Sequence, residues 1–237
     1  YTGEKSLDFC EVPDPKLKDD ENLISIRSVG ICGSDMHAYL GHDDRRPAPL
    51  ILGHEAAGDV IEGPLKGERV TINPLVSCQK CKECKSNRSN LCGKRQIISM
   101  QPREGAFAEL VAMPSRNLVK VPDDISFNDA ALTEPLAVCW HAVRLGLEAL
   151  DTDISSANTL VIGGGAIGLG SALSLMAKGI KKIKIAEPNE KRRAFLQANT
   201  WFDVYDPTKG HGDLSCYDIV IDAVGFSSSR SDACALA

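Results

Sequence analysis

The stretch Thr159-Leu160-Val161-Ile162-Gly163-Gly164-Gly165-Ala166-Ile167-Gly168 decides how the second half of this 237-residue chain folds. An apolar, β-branched run enters three consecutive glycines, and the uncharged sequence that follows to Ala177 has helical texture. Gly163, Gly165 and Gly168 satisfy the GxGxxG spacing. The first glycine makes a strand-to-helix turn, the second lets the backbone approach a pyrophosphate, and the third lets helix and strand pack closely. Ala166 and Ile167 open the helix whose N-terminus would lie under the phosphates. A second strand, Lys182–Ala186, ends at Glu187, an acid at about the distance of twenty-odd residues that a ribose-binding carboxylate needs. Such a carboxylate accepts both ribose hydroxyls of NAD and repels a 2′-phosphate, so NAD is expected over NADP. Arg192 stays a cofactor-side candidate, although Lys191, Arg192 and Arg193 also read as a solvated helix face.

Outward from this turn the alternation continues. Ala166–Lys178 and Glu190–Ala198 read as helices, Asp203–Tyr205 and Tyr217–Ala223 as further strands. The pattern implies βαβ units and a parallel sheet. A complete doubly wound dinucleotide fold has six strands; finding four predicts a domain that is C-terminally incomplete at Ala237. The first half is different. Short apolar stretches at Leu23–Val29, Ala56–Ile61, Arg69–Ile72 and Phe107–Ala112 sit between Gly, Pro, Asp and Asn signals and predict a β-rich domain. Ser126 is an N-cap candidate for a helix containing Asp129–Leu132, and Pro135 opens a helix running to about Leu145. Two domains are expected, 1–136 and 137–237.

Composition narrows the function. With 27 basic and 32 acidic residues the net charge is −5, which speaks against a nucleic-acid binder. Residues 159–177 carry no charge and contain a GxxxG spacing at Gly164 and Gly168, but the glycines and the missing aromatic belt make strand–turn–helix the better reading than a membrane span. The N-terminus shows no apolar secretory region, so a reducing, cytoplasmic setting is expected for the nine cysteines.

Four of those cysteines form the most specific feature. Cys78-x2-Cys81-x2-Cys84-x7-Cys92, interleaved with lysines, has the spacing of a four-thiolate tetrahedral zinc site. Four protein ligands leave no open position, so this zinc would fix a loop of about residues 78–92. A second set of donor types is dispersed: Cys32 in Gly30-Ile31-Cys32-Gly33-Ser34-Asp35-Met36-His37, His54 and Glu55 in Gly53-His54-Glu55, and Glu134 in Thr133-Glu134-Pro135-Leu136. Taken singly, each reads as an ordinary core or helix-end residue.

Together these motifs, in order from Val29 to Gly225, resemble the zinc-dependent medium-chain alcohol dehydrogenases of the sorbitol (polyol) and threonine dehydrogenase branch. The resemblance implies a GroES-like β-barrel catalytic domain and a Rossmann domain, with the active site between them. It implies a catalytic zinc at Cys32 and His54, with Glu55 or Glu134 as a direct ligand or next to the metal. Ser34 would take the substrate's proton and His37 would relay it. Cys139 is a rival thiolate near Glu134, but its offset fits a core residue better. Two zinc ions per chain and NAD are therefore expected, in a homodimer or homotetramer with no membrane or nucleic-acid partner. The implied reaction moves hydride from a polyol or secondary alcohol to NAD, giving a ketone. A threonine-type amino-alcohol dehydrogenase and a non-catalytic zinc- and NAD-binding relative are the alternatives. Tyr39, His42, Asp43, Arg45 and Arg46 form a polar loop that would either face a hydroxyl-rich substrate or simply be solvated.

Overall fold

The computed structural model describes residues 1–150, 153–210 and 217–237, in two compact units, Tyr1–Glu134 and Pro135–Ala237. Chain order in the first unit is β1 (Glu21–Gly30), α1 (Gly33–Tyr39), β2 (Glu55–Glu62), β3 (Arg69–Ile72), β4 (Leu75–Val76), α2 (Lys82–Lys85), β5 (Gln96–Ile97), β6 (Leu110–Pro114), β7 (Leu118–Lys120) and α3 (Phe127–Ala131). Strands β6-β1-β2-β3-β7 form an antiparallel five-stranded sheet, and β4 pairs with β5. One face buries Ile24, Val60, Val70, Ile72, Val111 and Met113, which is why β-branched and long apolar residues recur there. Ser126 caps α3, accepting the Asp129 N–H at 3.1 Å.

The strand expected at Phe107–Ala112 is shifted to Leu110–Pro114. The backbone N–H groups of Ala106 and Phe107 instead donate to Gly53 and Leu52, and the Phe107 ring packs against Gly53. Those bonds hold the loop before β2 rather than extending the sheet. Helix α1 arises where the sequence pattern names no element.

Helix α4 (Thr133–Glu148) follows, longer than expected by a turn at its end. The second unit continues with β8 (Asn158–Ile162), α5 (Ala166–Ala177), β9 (Lys182–Ala186), α6 (Glu190–Asn199), β10 (Asp203–Tyr205), β11 (Ile219–Asp222) and α7 (Ser227–Leu236). The sheet is wholly parallel in the order β10-β9-β8-β11. Val161, Leu175, Ile185, Leu196 and Val204 fill one side of it, as buried parallel strands require. Asn189 caps α6 by accepting the Arg192 N–H. The C-terminal residues form α7: Asp222 accepts from the N–H groups of Val224 and Gly225 and from the Ser229 hydroxyl, and Leu236 is buried. Among the described residues no helix is long and apolar enough to cross a membrane, and 159–177 is strand, turn and helix.

Candidate functional site

The thiol of Cys32, the imidazole of His54 and the carboxylate of Glu55 place one donor atom each within 4.8 Å of one another. Local structure explains why. Cys32 stands at the N-cap of α1, and Asp35, three residues on, returns its Oδ2 to the Cys32 N–H at 3.0 Å. The other oxygen of Asp35 accepts the Gly53 N–H at 3.1 Å, so one buried carboxylate fastens both donor-bearing segments. Glu55 opens β2 in register with Gly30, the last residue of β1. A Cβ at Gly30 would lie 2.2 Å from Glu55 Oε2, so only glycine leaves that carboxylate its place.

Charge and desolvation fit a cation. Burial pushes the Cys32 thiol above its ordinary value, the Ser34 hydroxyl and amide oppose this, and the Glu55 and Asp35 carboxylates push the same way as burial. His54 is buried and its Nδ1 has no hydrogen-bond partner among the described residues, the nearest carboxylate oxygen of Asp35 being 3.8 Å away. A soft thiolate, an imidazole and a carboxylate with a buried unpartnered nitrogen are the donor chemistry of zinc. Glu134 lies outside this trio, yet its carboxyl is raised by burial, with His54 lowering it and Glu55 raising it. The Ser34 hydroxyl is buried without a hydrogen bond of ordinary geometry among the described residues. It lines an open cavity of about 460 Å³ with His37, His42, Asp43, Asp44 and Arg45.

The second donor set is gathered by one loop. Cys78, Cys81, Cys84 and Cys92 also lie within 4.8 Å of one another, and Cys92 Sγ accepts the Cys78 N–H at 3.5 Å. The N–H groups of Lys80 and Cys81 bring the Cys78 thiol down to about 6, whereas desolvation and the neighbouring thiols push Cys84 up to about 11. Four thiols so close cannot all ionise without a cation among them. Cys139 is elsewhere: it is buried, its thiol donates to the Ile167 carbonyl, and it packs against Gly170 in α5.

In the second unit the glycine turn has the shape its spacing suggests. Gly163 has φ +97°, and a Cβ at Gly168 would lie 1.8 Å from the Gly163 carbonyl, whereas one at Gly165 would meet nothing within 4 Å. Gly165, with Ala166 and Ile167 exposed beyond it, leaves room for a pyrophosphate against the backbone. Glu187 is buried, and its two oxygens accept the N–H groups of Gly164 and Asn189, each at 2.7 Å. It thus fastens the glycine turn to the head of α6, a task the sequence did not reveal. Arg192 is 63% exposed and 3.8 Å from Glu187, whereas Arg193 is bound to the Glu187 carbonyl and to Asp206.

Comparison with known proteins agrees with this donor chemistry. The alcohol dehydrogenase GroES-like domain family matches residues 18–123. The protein named Probable D-xylulose reductase A from Arthroderma otae is 34% identical over 96% of this chain and 68% of its own length. The chain belongs to the zinc-dependent medium-chain alcohol dehydrogenases. L-galactonate-5-dehydrogenase from Escherichia coli K12, another member similar to it, is 36% identical over 91% of this chain and 64% of that protein, so the chain spans only part of its relatives' length. A zinc-binding dehydrogenase from Sinorhizobium meliloti 1021, bound to NADP, superposes with a TM-score of 0.84 at 27% identity, covering 95% of this chain and 69% of that one. The relationship places a GroES-like and a Rossmann-type domain in this member of the family.

The role of Asp35, and the bonds by which Glu187 holds two backbone N–H groups, are what the sequence reading missed. Asp35 stands at the third helical position after Cys32, where a capping-box acid belongs, and that signal was available. Its second bond, to Gly53, was not.

Proposed function

We propose that this medium-chain dehydrogenase oxidises a polyol or secondary alcohol to a ketone by hydride transfer to NAD, and binds two zinc ions per chain. The trio Cys32, His54 and Glu55 carries the reading. These residues would hold the catalytic zinc, with Glu134 as a fourth group close by, and Cys78, Cys81, Cys84 and Cys92 would hold the structural one. The catalytic zinc supplies Lewis acidity toward an alcohol oxygen, and the nicotinamide supplies the hydride acceptor. The chain's own residues do the rest. Ser34, on the cavity it shares with His37, accepts the alcohol proton, and His37 passes it toward solvent. Asp35 holds Cys32 through its backbone N–H, and the segment that carries His54 through the N–H of the neighbouring Gly53. Gly163, Gly165 and Gly168, with Ala166 and Ile167, cradle the pyrophosphate.

Glu187 supports NAD over NADP, because its fixed negative charge would repel a 2′-phosphate, while Arg192 lies at the solvent edge of the same site. Free thiols in two donor sets suit a reducing compartment such as the cytoplasm, and the family favours a homodimer or homotetramer. The relatives named for a sugar acid and for a pentulose support a hydroxyl-rich substrate.

The test is a spectrophotometric screen of the full-length protein with NAD and NADP against polyols, simple secondary alcohols and threonine, with and without a chelator. NADH formation that the chelator abolishes is expected. No reduction of either cofactor across the panel would mark a non-catalytic relative. In the same protein Glu134→Ala should lower turnover by at least tenfold, and elemental analysis would tell a lost ligand from a lost neighbour. Unchanged turnover and zinc content would remove Glu134 from the site.

A further inference from the structure

The cavity beside Ser34 carries information about substrate charge. It is lined by Ser34, His37, His42, Asp43, Asp44 and Arg45. Arg45 is the sole guanidinium or ammonium group among these residues, and it is already used. Its Nε donates to Asp43 Oδ1 at 2.7 Å and its Nη2 to Oδ2 at 3.0 Å, a two-pronged pair, and the Arg45 backbone N–H adds a third bond to Oδ1 at 3.1 Å. Asp43 is itself anchored from behind. Arg46 is buried, pairs with Asp43 Oδ2 and donates from Nε to the Ser99 carbonyl at 3.0 Å. The Asp43 side chain is only 6% exposed, so the pair has a rigid acidic half, while the Arg45 side chain is 69% exposed. Asp44 is exposed and adds a further carboxylate with no ion pair among the described residues.

Hydroxyls find partners on every side here. Asp44 accepts, Ser34 both donates and accepts, and the imidazoles of His37 and His42, whose ring centres are 6.4 Å apart, each offer a donor and an acceptor when neutral. An anion finds hydrogen-bond donors here but no uncommitted cation. It would either draw Arg45 away from Asp43, leaving two carboxylates beside it, or sit next to them without a counter-charge.

We propose that this cavity selects an uncharged polyhydroxy substrate and turns away aldonates and sugar phosphates, because Asp43 keeps Arg45 committed. The inference rests on the dehydrogenase reading above and deepens it: that reading admits sugar acids and neutral polyols alike, and the Asp43–Arg45 pair separates them.

The experiment pairs substrates of equal carbon skeleton, xylitol with xylonate and sorbitol with gluconate, in the full-length holoenzyme. The kcat/KM for each polyol is expected to exceed that of its aldonate by at least tenfold, with the gap narrowing as salt is raised. Asp43→Asn, which frees Arg45, should move the polyol-to-aldonate ratio about tenfold toward the aldonate. Since Asp43 also holds Arg46, Asp44→Asn provides a variant that leaves that anchor intact, and it should move the ratio the same way by a smaller factor. A binding readout stands apart from turnover: imidazole NMR signals of His37 and His42 should shift with xylitol and not with xylonate. Aldonates turned over as well as polyols, ratios unmoved in both variants, or imidazole shifts with xylonate alone would overturn the selectivity while leaving the dehydrogenase reading intact. Failure of every alcohol to reduce NAD or NADP would overturn both together.

Discussion

The four-cysteine loop and the Cys32–His54–Glu55 trio are two donor clusters of similar compactness, built at very different sequence distances. The first comes from residues 78–92, is partly exposed, and uses four donors of one kind. The second draws on an α1 N-cap and the start of β2, is more buried, and mixes thiol, imidazole and carboxylate. A loop that supplies all four ligands needs little help from the sheet, and its metal becomes part of its folding free energy. A trio assembled by separate elements needs the surrounding fold to hold it, and here Asp35 and the glycine at position 30 do so. With zinc bound as proposed, four thiolates would close the first site, whereas three donors would leave the second a position for another ligand.

The sharpest way to break this contrast is Cys92→Ser. Cys92 is the buried member of its cluster, and the variant should lose about one zinc per chain by elemental analysis and about 5 °C or more of melting temperature. Cys32→Ser should also lose one zinc, with a much smaller change in melting temperature. Equal thermal effects would show that the two clusters do not differ in the way proposed.

Asp35→Asn probes the other side. Removing the charge from a buried carboxylate that accepts two backbone N–H groups should cost about 2 kcal/mol in denaturant unfolding. Zinc at the Cys32 trio should weaken about 10- to 100-fold, as for other groups that orient metal ligands, while the four-cysteine zinc is retained. Parallel weakening of both ions in a competitive chelator titration would refute an effect confined to one cluster.

The smallest effect concerns pH. The hydrogen bonds from Arg45 hold the Asp43 carboxyl down to about 2, against an ordinary 3.8, and Arg46 adds to this. A carboxyl lowered in the folded state contributes stability that is full above about pH 4 and is lost as pH falls toward 2. The unfolding free energy of Asp43→Asn should therefore lack this part of the acid slope. Because the Arg45 half of the pair is 69% exposed, the difference is below about 1 kcal/mol, and coincident acid-unfolding profiles would assign the pair no role in stability.

Much of this was readable in the chain because the signals are local. Lys182–Ala186 and Asp203–Tyr205 are strands within the bounds their pattern suggests, and Ser126 caps the helix it precedes. Helix α7 was not read, because Ser227-Ser228-Ser229-Arg230-Ser231-Asp232 has little apolar periodicity; contacts from Asp222 and the burial of Leu236 stabilise it instead. Phe107 looked like a strand residue by type, but its backbone went to Leu52. At the sites the same division holds: the four cysteines declare themselves by spacing, whereas nothing in Glu187 predicts that both its oxygens face backbone N–H groups.

By itself, then, the order of residues determined the parallel αβ half, the glycine turn and the donor types, because periodicity, turn chemistry and ligand spacing act over a few positions. Only the tertiary structure decided which distant donors meet, that Asp35 joins Cys32 to Gly53, and that Asp43 takes Arg45 out of play. Those outcomes depend on strand register and on competition among partners for each charged group, and both are settled only when separate segments come into contact.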